Sequence, residues 1–113
     1  MITRPAHSVW AAAGAARQLL DAGEPLPDVW RHGIIQLLDD YESLLRHQGR
    51  DAAAALFAEA PDDTGDRRVD AAFAGLAEHL ARRDGWPPRP WSREEHRSTD
   101  TWWFITSYAL ERV

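Results

Sequence analysis

The stretch Thr64–Trp91, TGDRRVDAAFAGLAEHLARRDGWPPRPW, decides the fold of this chain. Its large apolar residues recur at steps of four, three and four, which places them on one helical face. These residues are Val69, Phe73, Leu76 and Leu80. The spacing therefore predicts a long amphipathic helix that buries this face.

Local signals predict where this helix begins and ends. The Asp66 carboxylate can accept hydrogen bonds from the first free backbone N–H groups of the helix. Gly85 suits the left-handed residue that follows many helices, and Pro87 prevents the helix from continuing. On the exposed face, Glu78 stands four residues before Arg82, a spacing that predicts a surface ion pair.

The rest of the chain predicts further helices around this one. Their expected ranges are residues 4–22 with Thr3 as cap, 28–48 with Asp28 as cap, 51–59, 92–97 with a Ser92–Glu95 capping box, and 101–112. Gly33 inside the second helix predicts close contact with a neighbouring helix. We therefore predict an all-α fold, a single domain over residues 1–113. It has four main helices plus one or two short ones in an orthogonal or bundle-like array.

Composition excludes several classes of protein. The chain has 113 residues, of which 44% are hydrophobic, and this is typical of one globular domain. It has no cysteine, so a disulfide framework and a thiolate site are both excluded. No apolar run reaches the roughly 20 residues of a membrane span, and no secretory signal is present. We expect a cytoplasmic protein without membrane attachment.

Catalytic and metal-binding patterns are weak. The spacing of Asp62, Asp63 and Asp66 is not that of an EF-hand loop, and turn formation with helix capping accounts for them. Glu78–His79 lacks the second histidine of a zinc-binding HExxH helix. His79 is the best isolated candidate for proton transfer, although a structural histidine at the helix surface is the default interpretation. We predict no metal, no cofactor and no enzymatic activity.

One cluster of arginine and tryptophan residues is a candidate binding site. Its members are Arg82, Arg83, Trp86, Arg89, Trp91, Arg93, Arg97, Trp102 and Trp103. Arginine and aromatic residues dominate protein interfaces, and they also stack on single-stranded nucleic acid. In a third interpretation, the tryptophan side chains attach the turn after the long helix to the core, and the aliphatic parts of the arginine side chains cover them. A net charge of −5 disfavours nucleic acid, since affinity there comes from neutralised phosphates.

The predicted last helix adds to this candidate site. Residues 102–105, WWFI, are four large apolar residues in succession, and they point to all sides of a helix. Either this helix lies deep in the core, or part of it docks on another chain.

The same region resembles a group of small helical proteins from high-GC bacteria. The resemblance rests on Thr64-Gly65-Asp66, Leu76 to Ala81, Gly85-Trp86-Pro87, Pro90-Trp91 and Trp103-Phe104, about a third of the chain. Members of that group look antitoxin-like, and some seem to be encoded beside nucleotidyltransferase-type toxins. Some also carry a DNA-binding helix-turn-helix domain. The short third helix here offers alanines and acidic residues instead of a DNA-reading surface.

The resemblance implies a protein that holds a partner. We therefore predict a protein-binding module, the antitoxin-like component of a pair, whose partner is a toxin encoded nearby or a second copy of the chain. The alternative is an accessory protein that binds nucleic acid or regulates transcription through the same arginine and tryptophan residues.

Overall fold

The computed structural model describes residues 8–94, and every regular element among them is helical. In chain order these are α1 (Val9–Asp21), α2 (Leu26–Trp30), a π-helical turn (Arg31–Ile35), α3 (Gln36–Gln48), α4 (Arg50–Ala54), a first 3-10 turn (Ala55–Phe57), α5 (Arg67–Asp84) and a second 3-10 turn (Pro90–Arg93). The all-α prediction is confirmed for these residues. None of the helices described is long and apolar enough to cross a membrane. The predicted final helix lies outside the described residues.

α5 is the helix around which the described core is assembled. Its predicted apolar stripe is buried, and the alanines beside that stripe are buried as well. The buried apolar residues of α5 are Val69, Ala71, Ala72, Phe73, Ala74, Leu76, Ala77, Leu80 and Ala81. A helix that is buried on this many sides lies inside a fold instead of on its surface. Alanine suits that position because its small side chain lets neighbouring elements approach closely.

Both predicted ends of α5 are confirmed. The Asp66 carboxylate accepts hydrogen bonds from the backbone N–H groups of Arg68 (2.8 Å) and Val69 (3.4 Å). At the other end, Gly85 adopts the left-handed conformation, with φ 80° and ψ 31°. Its N–H donates to the Ala81 carbonyl, which satisfies one of the free carbonyl groups of the last turn.

A buried polar pair, which the sequence analysis did not predict, holds the loop before α5. Asp70 is only 6% exposed and Thr64 only 2% exposed. One oxygen of the Asp70 carboxylate accepts hydrogen bonds from the backbone N–H (2.8 Å) and the hydroxyl (2.9 Å) of Thr64. Since a buried carboxylate without hydrogen bonds is costly, these two bonds account for the position of Asp70.

α2, the π-helical turn and α3 follow one another without a break, and Gly49 ends this helix as predicted with a φ of 94°. The buried positions from Val29 to Tyr41 repeat every four residues: 29, 33, 37 and 41, with 30, 34 and 38 beside them. Four residues of an α-helix turn through about 400°, so this face would drift by about 40° at each step. The wider π-helical turn corrects the drift and keeps the whole face on the core.

Gly33 lies in this π-helical turn, and its predicted close contact is confirmed. A Cβ atom placed on it would lie 3.4 Å from the Ala16 Cβ of α1 and 3.4 Å from the Phe73 Cζ of α5. The π-helical turn therefore lies against both helices, so closely that a Cβ at position 33 would be in van der Waals contact with each of them.

Two predicted helix starts are wrong. The first helix begins at Val9, because extended Ser8 accepts a hydrogen bond from the backbone N–H of Ala11 and acts as its cap. The predicted cap Thr3 lies outside the described residues. α2 begins at Leu26 and not after Asp28, since Pro25 and Pro27 occupy the cap and first turn, where a missing N–H costs nothing.

Two short helices also differ from their predicted form. The third predicted helix stops being α-helical at Ala54, tightens into the first 3-10 turn and ends at Phe57, before Glu59. Ser92 is not a helix cap, because it lies inside the second 3-10 turn and its hydroxyl donates to the Arg89 carbonyl (2.8 Å).

Two glycine substitutions test the local geometry of the helices. Gly85→Ala should lower the free energy of unfolding by about 1 kcal/mol, because a side chain at a positive φ is strained. Gly14 serves as the control: it lies inside α1 with nothing within 4 Å of an added Cβ. Gly14→Ala should raise the free energy of unfolding by up to about 1 kcal/mol. Urea unfolding measures both, and equal effects of the two changes would contradict the assignment.

Candidate functional site

The chain leaves α5 through a turn that two indoles attach to the core. We call residues 86–91, WPPRPW, the tryptophan turn. Trp86 is 4% exposed and Trp91 is 5% exposed. The Trp91 Nε1–H donates to the Phe57 carbonyl at 2.9 Å, and this bond ties the turn to the end of the first 3-10 turn. Both ends of the tryptophan turn are therefore fixed.

Trp86 completes an aromatic cluster between α3, α5 and the first 3-10 turn. Its ring stacks on Phe57 at a centroid distance of 5.7 Å, and Tyr41 meets Phe57 edge-on at 5.8 Å. Tyr41 and Phe57 are fully buried. Stacked and edge-on pairs are the arrangements that aromatic rings favour, so the cluster contributes geometry as well as buried area.

A chain of hydrogen bonds starts from the same indole. The Trp86 Nε1–H donates to the Tyr41 hydroxyl (2.8 Å), and that hydroxyl donates to the Asp84 carboxylate (2.6 Å). Arg83 donates to both oxygens of Asp84 and also to Glu42 at 2.6 Å. We call Trp86, Tyr41, Asp84, Arg83 and Glu42 the Tyr41–Asp84 network. It joins the end of α5 to the middle of α3.

The protonation states in this network follow from its contacts. Burial and the hydrogen bond to Asp84 raise the pKa of Tyr41 well above its ordinary value, so the hydroxyl keeps its proton. Burial acts to raise the pKa of Asp84, but hydrogen bonds from Arg83 and Tyr41 outweigh it, and the pKa lies below its ordinary value. Asp84 is thus a charged acceptor near neutral pH, and Tyr41 is a neutral donor to it.

Arg89 faces inward from the tryptophan turn. Its guanidinium carbon lies 5.3 Å from the Trp86 ring centroid, and its Nη2 donates to the Ala54 carbonyl at the end of α4 (2.9 Å). Its Nε is buried and has no hydrogen-bond partner in the part of the chain that the structure describes. Arg89 therefore covers an indole, which is the arrangement of the third interpretation of this cluster.

The expected ion pair between Glu78 and Arg82 does not form among the described residues. Glu78 instead accepts from the Nε of Arg93 (2.9 Å). The second 3-10 turn brings Arg93 over the α5 surface, where it binds the Glu78 carboxylate in place of Arg82. Arg82 is left exposed, with no ion pair to any residue in the range 8–94.

The nine predicted binding residues therefore fall into three groups. Trp86 and Trp91 lie in the core, and Arg89 packs on it, so none of these three is an exposed contact residue. Arg82 is exposed, the Arg93 side chain is 63% exposed, and the Arg83 side chain is 30% exposed. The other three, Arg97, Trp102 and Trp103, lie outside the described residues.

Three prolines of the tryptophan turn are exposed, and the sequence analysis did not place them in the candidate site. They are Pro87, Pro88 and Pro90. The sequence indicates their exposure, because PPRP between two tryptophans is a rigid extended segment that contains little apolar surface to bury.

His79, the candidate for proton transfer, lies on α5. It is partly buried on α5, and burial, followed by the positive charge of Arg83, lowers its pKa below the ordinary value. The negative charge of Asp84 acts to raise the pKa of His79, but burial and the positive charge of Arg83 outweigh it. The described residues contain no group of three or more histidine, aspartate or glutamate side chains that could hold a metal ion.

Comparison of the chain with protein-family models, curated proteins and solved structures gave no match. The antitoxin-like resemblance of residues 64–91 therefore remains a prediction.

A tyrosine substitution tests the Tyr41–Asp84 network. Tyr41→Phe leaves the buried Trp86 N–H without its acceptor, so it should lower the free energy of unfolding by about 1 to 3 kcal/mol. The matched control is the same change in a Trp86→Phe background, where no indole N–H remains to be satisfied and the loss should be smaller. Urea unfolding followed by far-UV circular dichroism measures both. An equal loss in the two backgrounds would show that the indole bond contributes nothing.

A histidine substitution tests the electrostatics of α5. Because the pKa of His79 is lowered in the folded state, the folded state binds its proton less readily than the unfolded state does. The contribution of neutral His79 to the free energy of unfolding is fully present above its pKa in the unfolded state, about 6.5. This contribution is lost as the pH falls through the pKa of His79 in the folded state. His79→Gln should therefore flatten the decrease in the free energy of unfolding between pH 7.5 and about 5. An unchanged slope would contradict the lowered pKa.

Proposed function

We propose that this domain binds another protein and acts as the non-catalytic, antitoxin-like component of a two-protein pair. The observation that carries the proposal is a rigid surface next to the end of α5. There, exposed arginines and prolines lie over a turn that is fixed to the core. The antitoxin-like part of the proposal is supported by the sequence resemblance of residues 64–91.

The rigidity of this surface favours binding. Trp86 and Trp91 each donate a buried hydrogen bond to the core, so the backbone between them is already ordered before any partner arrives. A partner that binds here does not have to order a loop, and the entropic cost of association falls accordingly. The buried indoles thus support binding because they hold the exposed residues beside them in a fixed position.

The exposed arginines supply the polar contacts of such a surface. Arg82 lies in the last turn of α5, is exposed and has no ion pair within residues 8–94, and its guanidinium carries five N–H donors. Arg93 keeps most of its side chain exposed while it contacts Glu78. Arginine is enriched among the residues that contribute most to protein interfaces.

Charge favours a protein over a nucleic acid as the partner. Arg83 is paired with Asp84 and Glu42, and Arg93 is paired with Glu78, so much of the positive charge here is neutralised within the chain. A phosphate backbone needs several free cations, and the whole chain carries a net charge of −5.

Co-expression with the products of the neighbouring reading frames tests the proposal. We expect a stable complex with one of them, in which Arg82→Glu weakens the affinity about tenfold, as the loss of a central contact residue would. The matched control is Arg67→Glu, an exposed arginine about 22 Å away at the other end of α5, which should leave the affinity unchanged. Isothermal titration calorimetry measures all three affinities.

Two outcomes would overturn the proposal. One is the absence of a complex with every neighbouring product. The other is binding to single-stranded nucleic acid whose affinity falls steeply as salt rises, because that dependence reports phosphate contacts.

A further inference from the structure

Asp84 and Gly85 form the one aspartate–glycine pair in the sequence, and this pair lies at the carboxyl end of α5. In such a pair the backbone nitrogen of the glycine can attack the side-chain carboxyl carbon of the aspartate. The glycine has no Cβ, so nothing on it shields that approach. The chain therefore contains a position at which its backbone can rearrange without an enzyme or an oxidant.

The rearrangement consists of two steps, in which one water leaves and one water returns. The Gly85 nitrogen forms a bond to the Cγ of Asp84, and the hydroxyl of the protonated carboxyl group leaves as water with the amide proton. The product is a five-membered succinimide ring. A water molecule then adds to either ring carbonyl and breaks its C–N bond. Opening at the backbone carbonyl gives isoaspartate, whose main chain contains one additional carbon atom.

The Tyr41–Asp84 network and the helix cap oppose the first step at both reacting atoms. The Oδ2 of Asp84 accepts from the Tyr41 hydroxyl (2.6 Å) and from the Nη2 of Arg83 (2.8 Å). Its Oδ1 accepts from the Nε of Arg83 (2.9 Å), so the whole carboxylate is held. The Gly85 N–H donates to the Ala81 carbonyl (2.9 Å), which holds the attacking nitrogen in the helix cap.

The charge and burial of Asp84 act in the same direction. Its pKa lies below the ordinary value, so the group is a carboxylate near neutral pH, and a carboxylate is a much poorer electrophile than a protonated acid. The Asp84 side chain is only 15% exposed, which limits the access of water to this carbon.

We infer that Asp84–Gly85 is a site of spontaneous isoaspartate formation, and that the Tyr41–Asp84 network keeps it unreacted in the folded chain. Ring closure requires the backbone of Asp84 to leave the helical conformation, so its rate follows the population of that local opening. The additional main-chain carbon of the product lies between Ala81 and Gly85 and disrupts the bond that caps α5. This inference does not depend on the proposed function.

Oxygen-18 labelling of the full chain tests the site, because ring opening by labelled water leaves a labelled oxygen in the product. The chain is incubated at neutral pH in oxygen-18 water, folded in one sample and unfolded by guanidinium chloride in the other. Trypsin digestion in ordinary water releases residues 84–93. Mass spectrometry measures the label in this peptide, and electron-transfer fragmentation distinguishes aspartate from isoaspartate. Asp70, which precedes an alanine in the peptide of residues 69–82, is the internal control.

We expect Asp84 to be labelled at least about tenfold faster in the unfolded chain than in the folded chain, because folding removes the open conformation. In the unfolded chain Asp70 should be labelled more slowly than Asp84. This comparison uses the unaltered chain and does not depend on any variant.

Substitutions separate the network from the overall stability of the fold. Tyr41→Phe removes a hydrogen bond to Asp84 and should raise the labelling rate of the folded chain severalfold. The matched control, Thr64→Val, removes a buried hydroxyl at the other end of α5 and should leave the rate at Asp84 unchanged. Arg83→Gln removes two hydrogen bonds to the same carboxylate and repeats the test without a change in the core. A thermal melt of each variant checks folding.

Three results would contradict the inference. Equal labelling rates in the folded and unfolded chain would show that the network does not protect the pair. The absence of label at Asp84 in the unfolded chain would show that the pair does not rearrange. Equal rates in the folded Tyr41→Phe, Arg83→Gln and Thr64→Val variants would assign the protection to the fold as a whole instead of the network.

Discussion

The hydrogen bond between the Trp86 indole and the Tyr41 hydroxyl is the contact on which the carboxyl-terminal half of the described structure depends. Both groups are buried, and a buried polar group without a partner is costly. The Tyr41 hydroxyl accepts from Trp86 and donates its own proton to Asp84, and Arg83 keeps Asp84 charged. This bond joins α3 to the end of α5, while burial and the contacts with Arg83 determine the protonation of Tyr41 and Asp84. Since each member polarises the next, the network is stronger than separate pairs would be.

This constraint separates the roles of residues that look alike in the sequence. The tryptophans of the turn hold it on the core, Arg89 covers one of them, and the arginines and prolines beside them are exposed and form the proposed binding surface. The candidate binding surface is thus made by residues beside the tryptophans instead of by the tryptophans themselves. A rigid support for a few exposed contacts is the arrangement that lowers the cost of association.

The sequence predicted the features that depend on neighbouring residues. Asp66 and Gly85 define α5 because capping acts within one helical turn, and Gly49 ends α3 for the same reason. It did not predict contacts between distant residues: the Tyr41–Asp84 bond joins residues 43 positions apart, and no local pattern specifies it. The burial of Trp86 and Trp91 does not follow from the sequence, because an indole suits both a core and an interface. The four-residue repeat of apolar positions before Tyr41 is present in the sequence, and it is the signal that could indicate the π-helical turn.

That π-helical turn also bears on how the length of this protein could change during evolution. A π-helical turn is equivalent to one residue inserted into an α-helix, and here the insertion is absorbed between Arg31 and Ile35 beside two packed helices. A homologue that lacks one residue in this turn would have a regular α-helix, in which Val29 and Trp30 keep nearly the same orientation relative to Tyr41 because the π-helical turn absorbs the extra residue. Its amino-terminal part would then pack on the core through the same face. A gap of one residue in an alignment of homologues therefore belongs inside this helix and not in a neighbouring loop, where such gaps are usually placed.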